Sequence, residues 1–363
     1  MKKTVATLGV LAISAGAATA GGIDRSGQFM GVLFEKGNYA ELSFGSVSPD
    51  VSGVATVFSP TSGAASGDMS KSYAQIGGAL KFKINDSLDA ALIFDQPFGA
   101  DVSYPAGSGY YAQGTTADLN TSAITGVLKY RLPSNISVYG GLRYQTFEAK
   151  ASIPFVGGYT VNGAKDDAVG YLVGVAYEKP EIALRVALTY NSKIRHSLAT
   201  TEFGGPSPKT DIDTPQSVNL EFQSGIAKDT LLFGSVRWVD WTAFDISPAT
   251  YGVITGNPLV SYHKDTVSYA LGIGRKFSEN WSAAVSVGYE TKMGKFSTNL
   301  GPTDGKTSIT LGATYTRDNM KISGGVTYVD IGNAQPTLNG TLPSANFRDN
   351  HAVGFGLKVG FSF

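Results

Sequence analysis

Apolar and polar residues alternate with a period of two along most of this chain, and that pattern constrains its fold more than any other feature. Between residues 73 and 84 the even-numbered positions are apolar or small, whereas Lys81 and Lys83 occupy odd-numbered positions. A short polar turn follows at 85–87, and the alternation resumes from Leu88. Two alternating segments joined by a short polar turn predict a β-hairpin.

Fourteen such segments follow one another, and their connections alternate strictly between short and long. The segments span residues 38–48, 73–84, 88–97, 116–131, 136–148, 168–178, 182–195, 215–226, 230–244, 266–277, 281–291, 307–317, 320–330 and 351–363. The short connections lie near Asn85, Pro133, Pro180, Lys228, Glu279 and Asp318, and the long ones span 49–72, 98–115, 149–167, 196–214, 245–265, 292–306 and 331–350. An even number of strands with short turns at one end and long loops at the other is typical of outer-membrane barrels. The predicted fold class is therefore all-β: a 14-stranded antiparallel transmembrane β-barrel over residues 38–363, with both termini periplasmic.

A soluble β-sandwich is the alternative, since it also alternates, but it buries its apolar face in a core. In this chain the polar face carries many Gly, Ser and Ala residues, as expected where side chains crowd a lumen. Aromatic residues recur near strand ends, at Tyr130, Tyr144, Tyr177, Tyr190, Trp238, Trp281, Tyr289, Tyr315, Tyr328 and Phe363. Aromatic girdles of this kind favour the membrane barrel.

The N-terminus has the features of a secretory signal peptide over residues 1–20. Lys2 and Lys3 form a basic region, an apolar stretch follows, and Ala18–Ala20 is a small-x-small cleavage site. The mature chain is expected to begin near Gly21. No later stretch reaches the roughly 18 apolar residues that a transmembrane helix needs, and the chain has no cysteine. Export without a helical span predicts a cell outer membrane location in a Gram-negative bacterium, as a multi-pass β-barrel.

Several stretches resemble the FadL-type long-chain fatty-acid outer-membrane transporters, a family that includes aromatic-hydrocarbon importers. They are NYAELSFGSVSPDVSG at 38–53, ADLNT at 117–121, RVALTYNSKI at 185–194 and VRWVDWTAF at 236–244. The strand number and the terminal Phe363 agree with that family, and the resemblance covers nearly the whole mature chain. It implies passive transport of long-chain fatty acids or other hydrophobic small molecules. In that family such ligands are captured by extracellular loops, held in the lumen and released laterally into the bilayer.

The segment before the first strand departs from that family, whose N-terminal hatch of a few dozen residues carries an Asn-Pro-Ala motif. Here residues 21–37 precede the strand, without that motif. Their apolar cluster includes Phe29, Met30, Leu33 and Phe34 and would be costly to expose to water. The segment either folds into the lumen as a short hatch or plug, which we expect, or is an early start of the first strand.

Nothing in the sequence supports catalysis. His196, His263 and His351 lie in or beside predicted long loops, where solvated surface positions are expected, and none sits in a recognisable motif. Metal-ligand spacings and phosphate-binding glycine loops are missing from the sequence, so no enzyme activity, cofactor or metal is predicted. The balanced charge gives no argument for nucleic acid as a partner.

Two cations that point inward by strand parity are candidates for contact with a ligand headgroup, Arg143 and Arg237. Acids such as Asp89, Asp95 and Glu221 also point inward. These charges either form an ion-pair network that fills the lumen or leave a cation free for a carboxylate, and buried partners are expected in both cases. The hypothetical ligand pathway comprises Phe29, Met30, Leu33, Phe34, Arg143 and Arg237.

The third predicted strand contains a proline where it should still be running. In FDQPFGADVSYPAGSGYY, residues 94–111, Pro97 lacks a ladder donor and Gly99 follows two residues later. If pairing on both sides stops at Gln96, the proline only begins a loop. If the strand bends inward over Gln96, Pro97, Phe98 and Gly99 and pairing resumes beyond, the break is a lateral opening. The resemblance implies an inward kink in this strand and favours the opening.

Two other functions stay open at this point: a general diffusion porin for small polar solutes, and a structural or adhesive barrel. The expected partners are a long-chain fatty acid or other hydrophobic ligand, outer-membrane lipids and lipopolysaccharide, and the outer-membrane assembly machinery. No nucleic acid is expected, and the expected oligomeric state is a monomer.

Overall fold

A computed structural model describes residues 23–363, and the predicted signal peptide lies outside the described residues. In chain order the strands are β1 (Tyr39–Asp50), β2 (Gly53–Ala55), β3 (Tyr73–Lys83), β4 (Leu88–Asp95), β5 (Gly99–Ser103), β6 (Thr116–Arg131), β7 (Ile136–Ile153), β8 (Tyr159–Lys179), β9 (Leu184–Asn191), β10 (Ile194–Glu202), β11 (Gly205–Thr214), β12 (Ser217–Ala227), β13 (Thr230–Val239), β14 (Asp245–Ile246), β15 (Val260–Ser261), β16 (Thr266–Lys276), β17 (Trp281–Glu290), β18 (Lys306–Arg317), β19 (Met320–Ile331), β20 (Ala345–Phe347) and β21 (Asn350–Ser362). The helices are α1 (Ala249–Thr255) and short 3-10 helices at Gly31–Phe34, Pro180–Ile182 and Trp241–Ala243. Within residues 23–363, no helix has both the length and the apolar character to cross a membrane.

Fourteen wall strands of the described chain close into an antiparallel barrel, which confirms the predicted architecture. Around the wall they are β1, β3, β4 with β5, β6, β7, β8, β9 with β10, β11 with β12, β13, β16, β17, β18, β19 and β21. The last strand pairs with the first from Tyr39↔Ser362 to Asp50↔His351, so the sheet closes on itself. A sheet that spans a bilayer must close, because lipid offers backbone N–H and C=O groups no hydrogen-bond partner.

Two connections that we predicted as long loops are largely strand, so that part of the prediction is wrong. The ends of β7 and β8 occupy most of residues 149–167 and leave a turn at 154–158. Residues 196–214 belong mostly to the hairpin of β10 and β11. Alternation continues through these stretches, but exposed positions such as Lys150 and Asn162 are polar. That pattern is expected of strands that extend beyond the bilayer, and a search for apolar exposed faces misses it.

The outward face of the wall is apolar at mid-height and aromatic towards its ends. Leu42, Leu142 and Phe355 are more than half exposed, as expected where the surrounding solvent is lipid. Trp281 and Tyr315, whose ring centroids lie 5.0 Å apart, belong to the aromatic girdle at the short-turn end. The barrel therefore presents the outside of a membrane protein.

Buried charges fill the interior near the short-turn end. Asp89 is fully buried on β4, 3.2 Å from Lys81 Nζ and 3.6 Å from Lys129 Nζ. A terminal guanidinium nitrogen of Arg131 lies 2.9 Å from the same carboxylate, and Glu178 lies 3.7 Å from Lys129 Nζ. One buried carboxylate thus compensates cations on both neighbouring strands, β3 and β6.

The substitution Asp89→Asn tests this network. It leaves Lys81 and Lys129 buried without their shared carboxylate, so the free energy of unfolding should fall by about 3–5 kcal/mol. Urea unfolding in lipid vesicles, followed by tryptophan fluorescence, measures the change. The matched control is Asp86→Asn, which breaks an exposed 2.6 Å pair with Lys83 and should leave the free energy of unfolding nearly unchanged. Equal losses in the two variants would contradict a special role for the buried acid.

Candidate functional site

A wide mouth opens among the long loops, with about 2550 Å³ of empty volume. Phe155, Tyr251 and Leu300 line it, together with the partly exposed apolar side chains of Ile254 and Leu338. Exposed apolar side chains around a concave surface are typical of a site that binds an apolar ligand.

An apolar chamber adjoins the mouth. Leu119, Phe244 and Tyr262 are among its lining residues. Among the described residues that line it, the one cation is Lys150, whose Nζ lies 3.7 Å from the Asp118 carboxylate and whose side chain is 65% exposed. The chamber can therefore hold an apolar group but offers it no buried free charge.

A side cavity with about 1300 Å³ of empty volume touches both faces of the barrel wall. Met30 and Glu221 line it from the interior, and Phe44, Ile76 and Phe94 line it from the lipid-facing side. The last three side chains are 50%, 58% and 39% exposed. Since successive residues of a strand point to opposite faces, this one space is lined by residues of both faces of the wall.

The backbone ladder of the wall is interrupted at this cavity. Pairing of β3 with β4 ends at Gly78↔Phe94, although residues 73–77 still pair with β1 on their other side. Across this stretch of the described wall, those residues have no ladder to the third wall strand. The side-chain oxygen of Gln96 instead accepts the Ile76 N–H at 3.0 Å. A side chain thus replaces part of the missing backbone pairing.

The third wall strand continues beyond its proline. β4 pairs with β6 as far as Asp95↔Ala123, and β5 resumes at Gly99↔Asn120. Four steps along this strand (95 to 99) match three along β6 (123 to 120), so residues 96–98 are a bulge with one extra residue. Pairing with β6 therefore resumes beyond the proline, and the proline does not simply begin a loop.

The N-terminal segment, residues 23–37, lies inside the barrel beside this bulge. The Arg25 N–H donates to the Pro97 carbonyl and the Gly99 N–H to the Ile23 carbonyl, both at 2.8 Å. Ile23 lines the chamber and Arg25 lines the side cavity. The start of the segment therefore lies between these two spaces.

The Arg25 side chain links the two sides of the ladder break. Its guanidinium lies 2.5 Å from the Asp101 carboxylate on β5, and its Cζ lies 4.0 Å from the ring centroid of Tyr73 on β3. Gly99 makes room for it, because a Cβ at that position would overlap the guanidinium. An ion pair and a cation–π contact thus connect strands that lack a ladder here.

The other residues of the hypothetical pathway in this segment also lie inside the barrel. Met30 and Leu33 are buried in one apolar cluster, and Phe34 packs against it. Phe29 and Phe34 line the side cavity. The Met30 N–H lies 3.4 Å from a carboxylate oxygen of Glu221, to which it donates. The segment is therefore packed against the lumen face of the wall.

The two arginines proposed for a headgroup are both engaged by protein groups. Arg237 Nε donates to the Asp24 carboxylate at 2.6 Å. Arg143 donates to the Thr125 hydroxyl at 3.0 Å and to the Asn191 side-chain oxygen at 3.3 Å. These contacts fit the ion-pair and hydrogen-bond network better than a cation held free for a ligand.

His196 contradicts the expectation of a solvated loop histidine. It is fully buried on β10, with its ring centroid 5.4 Å from that of Phe147 and Nδ1 3.2 Å from the Asp166 carboxylate. The expectation failed because this stretch is a strand with an inward face, which Leu198 shares. By contrast, His263 is exposed and lines the mouth.

Glu202 joins two long-loop segments, although no sequence motif marks it. Its carboxylate accepts the N–H groups of Thr250 and Tyr251, both at 2.9 Å, at the start of α1. It also accepts the hydroxyls of Tyr159, at 2.7 Å, and Ser207. Burial favours the neutral acid, but these hydrogen bonds outweigh it and lower the pKa of Glu202 to about 2. The acid thereby fastens α1, which borders the mouth, to the β10–β11 hairpin.

Comparison with known proteins identifies one matching family and several solved structures with a similar fold. A family model described as outer membrane protein transport protein (OMPP1/FadL/TodX) matches residues 32–363. A FadL homologue of Pseudomonas aeruginosa is similar in structure, with a TM-score of 0.73, 15% identity and 92% of each chain covered. The toluene transporters TbuX of Ralstonia pickettii and TodX of Pseudomonas putida both give a TM-score of 0.63, at 13% and 11% identity, over 91% of this chain and 90% of theirs. At these identities the likeness shows the fold alone. No curated protein sequence matches the chain.

The contact of Glu202 with α1 should depend on pH. Because its pKa in the folded protein, about 2, lies below the ordinary value for glutamate, the stabilisation is present above about pH 4.5 and is lost as the pH falls towards 2. Glu202→Gln should remove it at pH 7 and lower the hydrogen-exchange protection of residues 249–255 by about 10- to 100-fold.

Hydrogen–deuterium exchange, corrected for the intrinsic rate at each pH, measures this protection. Asp211→Asn is the control, since Asp211 lies exposed on the same hairpin and accepts only the Ser197 hydroxyl among the contacts described. Equal protection of α1 in the wild type and in Glu202→Gln at pH 7 would refute the role of this acid.

Proposed function

Because the chain belongs to the outer membrane protein transport protein family (OMPP1/FadL/TodX), whose members are outer-membrane channels for hydrophobic compounds, we propose that it passively carries an uncharged hydrophobic small molecule into the bilayer. The molecule enters at the mouth, rests in the chamber and leaves through the side cavity, beside the third wall strand. The observation that carries the proposal is the cavity that contacts interior and lipid-facing side chains of the same wall.

Sideways release suits an apolar ligand better than passage along the whole lumen. Each methylene group favours an apolar environment over water by about 0.8 kcal/mol. Towards the short-turn end the lumen contains buried charges, among them Lys81, Asp89 and Lys129. The side cavity instead leads to Phe44 and Ile76 on the lipid face. An apolar ligand therefore gains free energy by turning towards the wall.

The lining of the chamber favours an uncharged ligand over an ionised long-chain fatty acid. A carboxylate moved out of water needs a partner of opposite charge. Lys150, the cation among the described chamber residues, is mostly exposed and pairs with Asp118. Deeper in the barrel, Arg143 and Arg237 are already engaged. The fatty acid implied by the family resemblance therefore ranks behind a neutral hydrocarbon or a similar molecule.

Charges around the side cavity support the same choice. The cations that line it are Arg25, Arg185 and Lys358, and the acids are Glu35, Glu41, Asp95 and Glu221. Arg25 pairs with Asp101, and Lys358 Nζ lies 3.5 Å from Glu41. Arg185 forms a cation–π contact, with its Cζ 4.5 Å from the centroid of the Phe34 ring. Since four acids stand against three cations, the charge balance of this cavity does not favour an anion.

The start of the N-terminal segment acts as a short plug in this proposal. Ile23 and Arg25 lie between the chamber and the side cavity, held by two backbone hydrogen bonds to the bulge. Passage of a ligand requires these residues to move. This movement would break the two backbone hydrogen bonds and the ion pair of Arg25 with Asp101.

Deletion of Pro97 tests the lateral route. The deletion removes the extra residue, so β4 and β5 can pair continuously with β6 and close the bend. Uptake of radiolabelled toluene should fall at least about tenfold in cells that lack other channels of this family. Pro97→Val is the matched control: it supplies a donor but retains the extra residue, so uptake should stay near wild type. Undiminished uptake by a correctly folded deletion variant, judged by heat-modifiable migration on gels, would refute release at this site.

The choice of ligand is tested by comparing toluene with oleate in the same cells. We expect toluene uptake well above that of cells carrying an empty vector and oleate uptake at the vector level, because the chamber lacks a free cation. Liposome swelling with sugars should give no signal, which separates this channel from a general porin. Oleate uptake as fast as toluene uptake would contradict the neutral ligand, and rapid swelling with sugars would contradict the hydrophobic channel itself.

A further inference from the structure

The mouth meets the chamber at a boundary that we call the neck. Leu259, Thr298 and Leu300 line both spaces, and they come from two separate long-loop segments, 247–259 and 291–305. We infer that Leu259 and Leu300 form a rigid aliphatic filter that selects ligands by cross-section. The inference rests on the proposed function, because a filter requires a ligand that passes it.

Leu259 is held firmly on its side of the neck. Its N–H donates to the Ile246 carbonyl at 2.9 Å. The next residue, Val260, pairs with Ile246 in the β14–β15 ladder. The side chain is 7% exposed and belongs to the apolar cluster that contains Trp241 and Phe244. Backbone pairing and burial together leave this side chain little freedom to withdraw.

The opposite side of the neck is fixed through Asn299. The Asn299 carbonyl accepts the Tyr104 hydroxyl at 2.7 Å, and its side-chain oxygen accepts the Tyr111 hydroxyl at 2.5 Å. The Asn299 amide nitrogen donates to the Thr337 carbonyl at 3.3 Å. Both tyrosines are buried and pack against the ring of Tyr110. Two other loops therefore hold the residue next to Leu300.

Thr298 connects the two sides. Its hydroxyl donates to the Leu259 carbonyl at 3.4 Å and accepts the Leu300 N–H at 3.2 Å. Leu300 in turn packs against two apolar clusters, one that includes Tyr111 and one that includes Leu259. Hydrogen bonds and packing thus hold both sides of the neck and connect them to each other. Such restraint is expected of a rigid filter and not of a mobile loop.

The two leucines discriminate by shape, because an aliphatic side chain recognises no polar group. Apolar sites of this kind typically separate ligands that differ by one small group by about tenfold or more. Shortening either leucine widens the neck, and a phenylalanine in place of Leu300 narrows it. The effect should depend on the width of the ligand and leave the narrowest ligand least affected.

The experiment measures initial uptake of radiolabelled toluene, naphthalene and pyrene by cells that express the full chain and lack other channels of this family. Leu300→Ala and Leu259→Ala should each raise the pyrene-to-toluene uptake ratio by about tenfold. Leu300→Phe should lower the naphthalene-to-toluene ratio. Leu338→Ala is the matched control, because Leu338 lines the mouth but is not among the chamber residues, and it should leave both ratios unchanged.

The possible outcomes distinguish a failure of the filter from a failure of the proposed transport function. Heat-modifiable migration on gels first confirms that each variant is folded. Because two positions are substituted, the test still stands if one variant fails to fold. No wild-type toluene uptake above the empty vector would overturn the proposed function and the filter with it. Wild-type uptake with unchanged ratios in all folded neck variants would overturn the filter alone. Equal ratio changes in Leu338→Ala and the neck variants would also overturn it.

Discussion

The requirement that every backbone polar group be satisfied in lipid governs this structure. The barrel satisfies its backbone groups by pairing β21 with β1. At the ladder break beside β3, side chains and the N-terminal segment replace the missing backbone partners. Gln96 provides a side-chain acceptor for Ile76, and the Thr121 hydroxyl bonds both the N–H and the carbonyl of Phe98, each at 2.8 Å. The N-terminal segment contributes the N–H of Arg25. A gap in the wall can persist because its polar groups find partners other than a neighbouring strand.

The polarity of the interior changes along the barrel axis, and this change determines which cavities suit an apolar molecule. Around the mouth and the chamber the loops pack aromatic and aliphatic side chains, whereas the short-turn end contains the Asp89 network. An apolar molecule is stabilised in the first region and not in the second. The side cavity lies between them and reaches the lipid face. The polarity of the lumen and the position of the ladder break are both consistent with the sideways route that we propose.

Local patterns predicted much of the fold and part of the site. Alternation predicted the number of wall strands, whereas Pro97 and Gly99 by themselves left open whether the third strand ends or bends there. The same reasoning failed at 149–167 and 196–214, where the strands leave the bilayer and their exposed faces become polar. His196 was misjudged for the same reason. Glu202 was missed because its partner, Thr250, is 48 residues away along the chain, and no local spacing encodes such a contact.

The sequence by itself determined that this chain forms a barrel and how many wall strands it has, because both depend on the side-chain order within a few residues. Only the tertiary structure decided what the barrel can hold. Ile23 contacts the bulge at Gly99, and Leu259 contacts Thr298, through hydrogen bonds between distant segments. The sizes of the cavities and the charges that line them arise from such contacts, since a space is defined by residues that are neighbours only after folding.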